Sequence, residues 1–255
     1  MNRKTAQLLA IGVVSFPLFL GCETMSQIAS NTPNTTVGTT SPSTTGSVTQ
    51  TEAVTGIKQA LGNGLNNSIN ALSIKDGFLG NAAVKILMPA EAQQVEKTLR
   101  SIGMGSLVDN FVTSLNRAAE SAVKEAAPVF VNSLSQMTVT DAFSILLGAQ
   151  QDAATTFFKR TTSATLASKF SPIVESALGK NNVSTYWTQL TSAYNNLPLT
   201  SNKVTTDLNA YVTQKAIDGL FVKVAEEELK IRQNIGGSRN TGVLQKVFGW
   251  VDTQK

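Results

Sequence analysis

The chain has no histidine and a single cysteine. Without histidine, Ser-His-Asp and Cys-His catalysis are excluded, and so is any His-ligated metal site. One cysteine cannot form an internal disulfide. Any fold must therefore be held by its apolar core. Charge is also scarce: charged residues make up 15% of the chain and the formal net charge is +4. Two of the cations, Arg3 and Lys4, lie at the extreme N-terminus. Without them the remainder is close to neutral and lacks the concentrated positive field that nucleic acid requires. No Walker-type loop exists, because Gly62-Asn63-Gly64 lacks the Gly-Lys-Ser/Thr that would follow. No stretch alternates apolar and polar residues as a half-buried strand does. What is present is 42% hydrophobic content over 255 residues, enough for one sizeable domain or two small ones.

The N-terminus has its own pattern. Met1-Asn2-Arg3-Lys4 is short and basic, and Ala6 to Leu20 is apolar apart from Gln7 and Ser15. Fifteen helical residues rise only about 22 Å, short of a hydrocarbon core of roughly 30 Å. The length suits a signal-peptide apolar region. Leu18-Phe19-Leu20-Gly21-Cys22 then resembles a bacterial lipoprotein processing site, which implies removal of residues 1–21 and a lipid-bearing Cys22 as the new N-terminus. The resemblance departs at Phe19 and Leu20, where such signals carry Leu and a small or β-branched residue. Glu23 stands where inner-membrane retention signals have Asp, which leans towards the outer membrane.

Residues 22–50 read as a lipidated cysteine and a tether. Half of the 28 residues from Glu23 to Gln50 are Ser or Thr, and only Glu23 is charged. Such a segment cannot bury enough surface to offset its ordering entropy, and the expectation is a flexible tether. It is either a spacer of selected length or a variable tail.

From residue 51 to 255 the period becomes helical. Val54, Ile57, Leu61, Leu65, Ile69 and Leu72 recur at spacings of three and four. Asp76 to Gly80 reads as a loop. Pro89 opens a helix through Val95 and Leu99 that Gly103-Met104-Gly105 closes. A long helix is predicted from Leu107 to Ala126, interrupted or restarted at Pro128. Thr138 caps the next, which Gly148 stops. Another runs from about Asp152 to Phe170, and Ser171-Pro172-Ile173 with Glu175 starts a new one. Ser184 is the expected cap for Tyr186 to Tyr194, and Asn195 to Pro198 form a turn. Asp207 to Gln233 is apolar over more than one face, as befits the packing centre of a bundle. Gly236-Gly237 ends it and Ser238 opens the last helix. The fold class is all-α: a single multi-helix, bundle-like domain behind a signal peptide and a disordered tether.

Few residues carry chemistry. Ser121-x-x-Lys124 matches a four-residue motif of serine penicillin-binding enzymes, but its companion motifs are absent, and two solvated helix residues explain it as well. Arg117 and Glu120 lie one turn apart on an apolar helix. They read as a partly buried ion pair tying helices together, with an anion-binding arginine as the alternative. Glu226, Glu227 and Glu228 are consecutive and near Asp218, Lys230 and Arg232. Consecutive helix residues diverge by about 100°, so the three carboxylates cannot converge. Arg117, Glu120, Asp218, Glu226, Glu227 and Arg232 form the candidate polar network. Tyr186, Trp187, Tyr194, Phe157 and Phe158 line either a core or an apolar ligand groove. The sequence points to no metal and no cofactor.

Several stretches together carry a resemblance: Gly56 to Leu61, Asp76-Gly77-Phe78, Asn116-Arg117-Ala118-Ala119-Glu120, Tyr211-Val212-Thr213, Asp218 to Phe221, Ala225 to Glu228 with Ile231-Arg232, and Leu244 to Gly249. They resemble a family of bacterial lipoproteins catalogued as domain of unknown function 4197, over roughly Thr55 to Gly249. The resemblance implies a mainly helical, membrane-anchored protein of Gram-negative bacteria and transfers no activity. Gly236-Gly237-Ser238-Arg239 departs from it, standing where the family tends to have a Pro-containing turn. The expected function is a non-enzymatic envelope lipoprotein, held by Cys22 in the membrane and facing the periplasm, that binds a protein partner or an apolar ligand. The alternative is an envelope hydrolase using carboxylates, Arg117, or Ser121 with Lys124.

Overall fold

The computed structural model describes residues 47–180, 182–196 and 207–254. The leader, Cys22 and nearly all of the expected tether lie outside the described residues, as do Leu197 and Pro198 of the expected turn. Among the described residues there is no strand, and the all-α expectation holds.

Helix α1, Gln50–Ser73, opens on a capping box: Thr49 accepts from the Glu52 amide, and Glu52 accepts from the Thr49 amide. Its inward face includes Ile57, Leu61, Leu65, Ile69 and Leu72. A loop then leads through Phe78, which has no exposed surface, to a 3₁₀ turn, Ala90–Ala92, and α2, Gln93–Ser101. Gly103 leaves α2 with φ +82, in the left-handed region that favours glycine. Helix α3, Gly105–Val123, ends three residues before the predicted boundary. A 3₁₀ turn, Lys124–Ala126, joins it to α4, Ala127–Gln136, whose first turn holds Pro128. Proline is accommodated there because those amides have no helical partner. Helix α5, Val139–Leu147, has the predicted Thr138 cap, completed by Asp141 as a capping box.

Three further boundaries differ from the sequence reading. Helix α6 runs unbroken from Ala153 to Lys180 with Pro172 inside it. Phe170, Val174 and Leu178 are buried on either side of the proline, so packing of α6 on α3 and on the helix Leu208–Gln233 requires one straight face. Pro172 and Ser168, whose carbonyl loses its helical donor, are both exposed, and water can take the bond. Ser184 is not a cap. Helix α7, Val183–Asn195, is preceded by Asn182 in the left-handed region, and Ser184 lies inside it. Ser238 does not open the last helix. Thr241 does, accepting from the Leu244 amide at the start of α9, Gly242–Asp252.

Helix α8, Leu208–Gln233, is the packing centre that its multi-faced pattern predicts. It packs against α1, α3 and α6. It runs antiparallel to α1: Asn67 meets Glu227, while Ile57 shares a small void with Ile231 and Arg232. Phe130 meets Phe158 and Phe221 edge-on, at 5.4 and 6.2 Å between ring centres. Close approach is bought at Gly219, where a Cβ would come 2.7 Å from the Phe78 ring. No helix among the described residues is long and apolar enough to cross a membrane.

Candidate functional site: two charged anchors

The loop after α1 is fastened to α3 by consecutive side chains of one helix. Asn116 is fully buried. Its carbonyl accepts from the Ile86 amide at 2.9 Å, and its amide donates to the Ile86 and Val112 carbonyls at 2.8 and 2.7 Å. One side chain thus supplies the pairing that a neighbouring strand would give. Arg117 donates to Glu120 at 2.7 Å and to Asp76 at 2.6 Å. Burial opposes the charge of Arg117, but these two hydrogen bonds outweigh it and raise the pKa of its guanidinium. The other Glu120 oxygen accepts from the Phe78 amide at 3.3 Å. Asp76 has φ +67, a conformation that Asp tolerates better than most residues. Tyr211 of α8 completes the anchor by donating to the Leu87 carbonyl at 3.0 Å. Three separated stretches quoted above for the family resemblance, around Asp76, Asn116 and Asp218, therefore meet at Phe78.

The second anchor sits where α5, α6 and α8 converge. Glu228 is buried and accepts from the amides of Ala154 and Thr155 and from the Thr155 hydroxyl, each at 2.9 Å. Its carboxylate thus caps α6 from another helix, where the positive end of the dipole favours an anion. Arg232, one turn on, donates to Glu228 through Nε at 3.0 Å and Nη2 at 2.8 Å, and to the Ile145 carbonyl of α5 at 2.8 Å. Buried Arg239 donates to the Ile231 and Arg232 carbonyls at 2.9 and 2.6 Å, and pairs with Asp252 of α9. The orphan carbonyls that close α8 are satisfied in this way.

The remaining members of the predicted network do not join either anchor. Asp218 is exposed and accepts from Gln214. Glu226 pairs with Lys223. Glu227 pairs with Lys230 and accepts from Asn67 of α1 at 2.9 Å. Burial raises the pKa of Glu227, and the bonds from Lys230 and Asn67 more than reverse that, so the net direction is downward. Arg117 and Glu120 are brought together, and Arg232 is brought to Glu228 instead of to Glu226 or Glu227. The candidate polar network omitted Glu228, Arg239 and Asn116. Asn116 in an apolar stretch was a readable signal, because buried amides need partners.

Two surface clefts flank these anchors. One, of about 270 Å³, lies between α5 and α6 and is lined by Asp141, Gln150, Phe157 and Arg160 among others. The other, of about 400 Å³, lies between α3 and α6 and includes Ser121, Pro172, Ser176 and Lys180. The Ser121 hydroxyl donates to the Arg117 carbonyl of its own helix. The aromatic set divides: Trp187 stacks on Phe111 at 5.2 Å, while Phe157 and Phe158 meet each other in the α4–α6 region. Voids beside Glu228 hold about 10 Å³ each, room for about one water. Among the described residues no group of three acidic or cysteine side chains is arranged to hold a metal.

No curated protein and no solved structure matches the chain at a significant level. A family model described as a protein of unknown function matches residues 47–249, from just before the Thr49 cap to within α9. That span is most of the chain, and it includes both anchors apart from Asp252: the chain belongs to the DUF4197 family.

Proposed function

We infer that this protein is a lipid-anchored envelope protein whose helical domain acts as a binding or scaffolding module rather than as an enzyme. The observation that carries the reading is how the charged side chains are used. Arg117, Glu120, Glu228, Arg232 and Arg239 each close on a helix end, a loop amide or an opposite charge. Groups committed in this way stabilise a shape and are not poised for proton transfer. The N-terminal pattern ending at Cys22 supplies the anchor, and its location is the periplasmic side of the outer membrane. The partner is an envelope protein or an apolar ligand.

A hydrolase would need at least two reactive side chains converging in a cleft. Ser121 reaches a cleft that also contains Lys180, which keeps that class as the alternative. Two measurements separate the readings. Cys22→Ser should move the protein from the membrane fraction to the soluble fraction and abolish partitioning into detergent; unchanged fractionation refutes the anchor. Crosslinking in native envelopes should recover a defined partner whose yield is unaffected by Ser121→Ala. Hydrolysis of an envelope substrate that depends on Ser121 and Lys180 would reverse the choice.

A further inference from the structure

Four arginines among the described residues are committed to carboxylates: Arg100 to Glu96 and Asp109, Arg117 to Glu120 and Asp76, Arg232 to Glu228, and Arg239 to Asp252. Arg160 differs. Its side chain is 71% exposed and comes only within 3.9 Å of Asp141, beyond hydrogen-bond reach. Its guanidinium lies 5.8 Å from the centre of the Phe157 ring, and Phe158 holds that ring edge-on. Asp141 turns one oxygen to Thr138, accepting from its amide at 3.1 Å and its hydroxyl at 2.6 Å, and the other towards Arg160. Both side chains line the cleft between α5 and α6, whose apolar part is Ile145, Ala153 and Phe157. The neighbouring charges in the sequence, Asp152 and Lys159, are not part of that lining, and Lys159 lies over Phe221 of α8 instead.

The second anchor fixes both walls of this cleft. Arg232 grips the Ile145 carbonyl in α5, Glu228 grips the Ala154 and Thr155 amides in α6, and the two bond each other. The gap between the walls is therefore set before a ligand arrives, which lowers the ordering cost of binding. We propose that the cleft captures the C-terminal end of a partner polypeptide whose last residue is apolar. A cation and a carboxylate side by side call for a ligand with an anion next to a donor. The last residue of a chain has both, because its backbone nitrogen is about 2.5 Å from its carboxyl carbon. The planar fork of Arg160 takes the carboxylate, the free oxygen of Asp141 takes the N–H, and the apolar side chain lies on Ile145 and Phe157. A dianionic phosphate would meet only repulsion from Asp141. At about 270 Å³ the cleft falls just below the roughly 300–1,000 Å³ of sites that enclose a whole small molecule, and it suits the end of a longer chain. The proposal rests on the binding-module reading and names the chemistry that holds the partner.

The test titrates the full chain, its arginines labelled with nitrogen-15, with the peptide acetyl-Gly-Ala-Leu bearing a free carboxylate. The Arg160 Nε signal should shift and saturate, and affinity in every variant is read from the leucine methyl signals of the peptide. The same peptide ending in an amide should bind at least about tenfold more weakly, as should the acid peptide to Arg160→Met, where the loss of the guanidinium removes the fork. Arg160→Lys keeps the charge without the fork and should fall between them. Equal affinity for acid and amide, or an unmoved Arg160 signal, overturns the proposal. Free leucine binding as tightly as the peptide overturns a polypeptide as the occupant. Crosslinking in native envelopes separates this site from the reading beneath it. Arg160→Met should lower the yield of the crosslinked partner; an undiminished yield overturns the site alone, and no partner for the unaltered protein overturns the binding-module reading.

Discussion

Removing the carboxylate of Glu228 tests the second anchor most directly. In Glu228→Ala the buried Arg232 guanidinium keeps the Ile145 carbonyl but loses its counter-charge, and the Ala154 and Thr155 amides lose their acceptor. Breaking a buried pair from one side costs about 3–5 kcal/mol, and loss of the helix cap, about 1 kcal/mol, overlaps with it. We expect a loss of about 4 kcal/mol. Glu228→Gln keeps the shape but has one acceptor oxygen for donors now shared between two, and should lose about 2 kcal/mol. Arg232→Ala leaves Glu228 with its three α6 donors and should lose less than Glu228→Ala. The double variant Glu228→Leu/Arg232→Met removes both charges and should cost less than the sum of the single alanine variants, by at least about 1 kcal/mol. Urea unfolding followed by circular dichroism on the Cys22→Ser background measures all four, with the slope checked for two-state behaviour. Single losses below about 1 kcal/mol that simply add would refute a coupled, buried node.

Other variants probe the rest of the packing. Gly219→Ala would push a methyl into Phe78 and Val84 and should destabilise by about 1–3 kcal/mol, whereas Gly62→Ala meets nothing within 4 Å and should stabilise by roughly 0.5–1 kcal/mol; equal thermal midpoints for the two contradict the helix contacts. Pro172→Ala restores a donor for the Ser168 carbonyl inside α6 and should stabilise by about 1–3 kcal/mol, so a lower urea midpoint would show that the proline is needed where it stands. The Lys246 ammonium and the Thr49 cap hold the Glu52 carboxyl at about 2, below its ordinary 4.5. A depressed acid stabilises above its unfolded value, and that contribution fades as pH falls from 4.5 towards 2. Thr138 holds Asp141 low as well, so the acid loss is shared. Lys246→Met should move the Glu52 titration upward in a carboxyl NMR experiment, and an unmoved midpoint would show that the ion pair is absent in solution.

Much of the fold was legible because helix signals are local. The spacing of Ile57, Leu61, Leu65 and Ile69, the Thr138 cap with Asp141, and the Asp207 start of α8 each follow from a few neighbouring residues. The lack of histidine, the single cysteine and the multi-faced pattern of Asp207 to Gln233 set the chemistry and the centre of the bundle in the same way. Where local rules competed with packing, packing prevailed. Ser171-Pro172 has the form of a helix start, yet burial of Phe170, Val174 and Leu178 keeps α6 continuous. The partners of the charged residues were beyond any sequence pattern, because they are set by which helix ends meet. Glu228 caps a helix 74 residues away, Asn116 pairs with a loop 30 residues earlier, and Asp76 meets Arg117 across 41. The sequence alone determined which segments become helices and which chemistries are closed to the chain, since propensity and composition are local properties. Only the tertiary structure decided that the acids and arginines serve as two anchors, since a buried charge is satisfied by whatever the fold brings beside it.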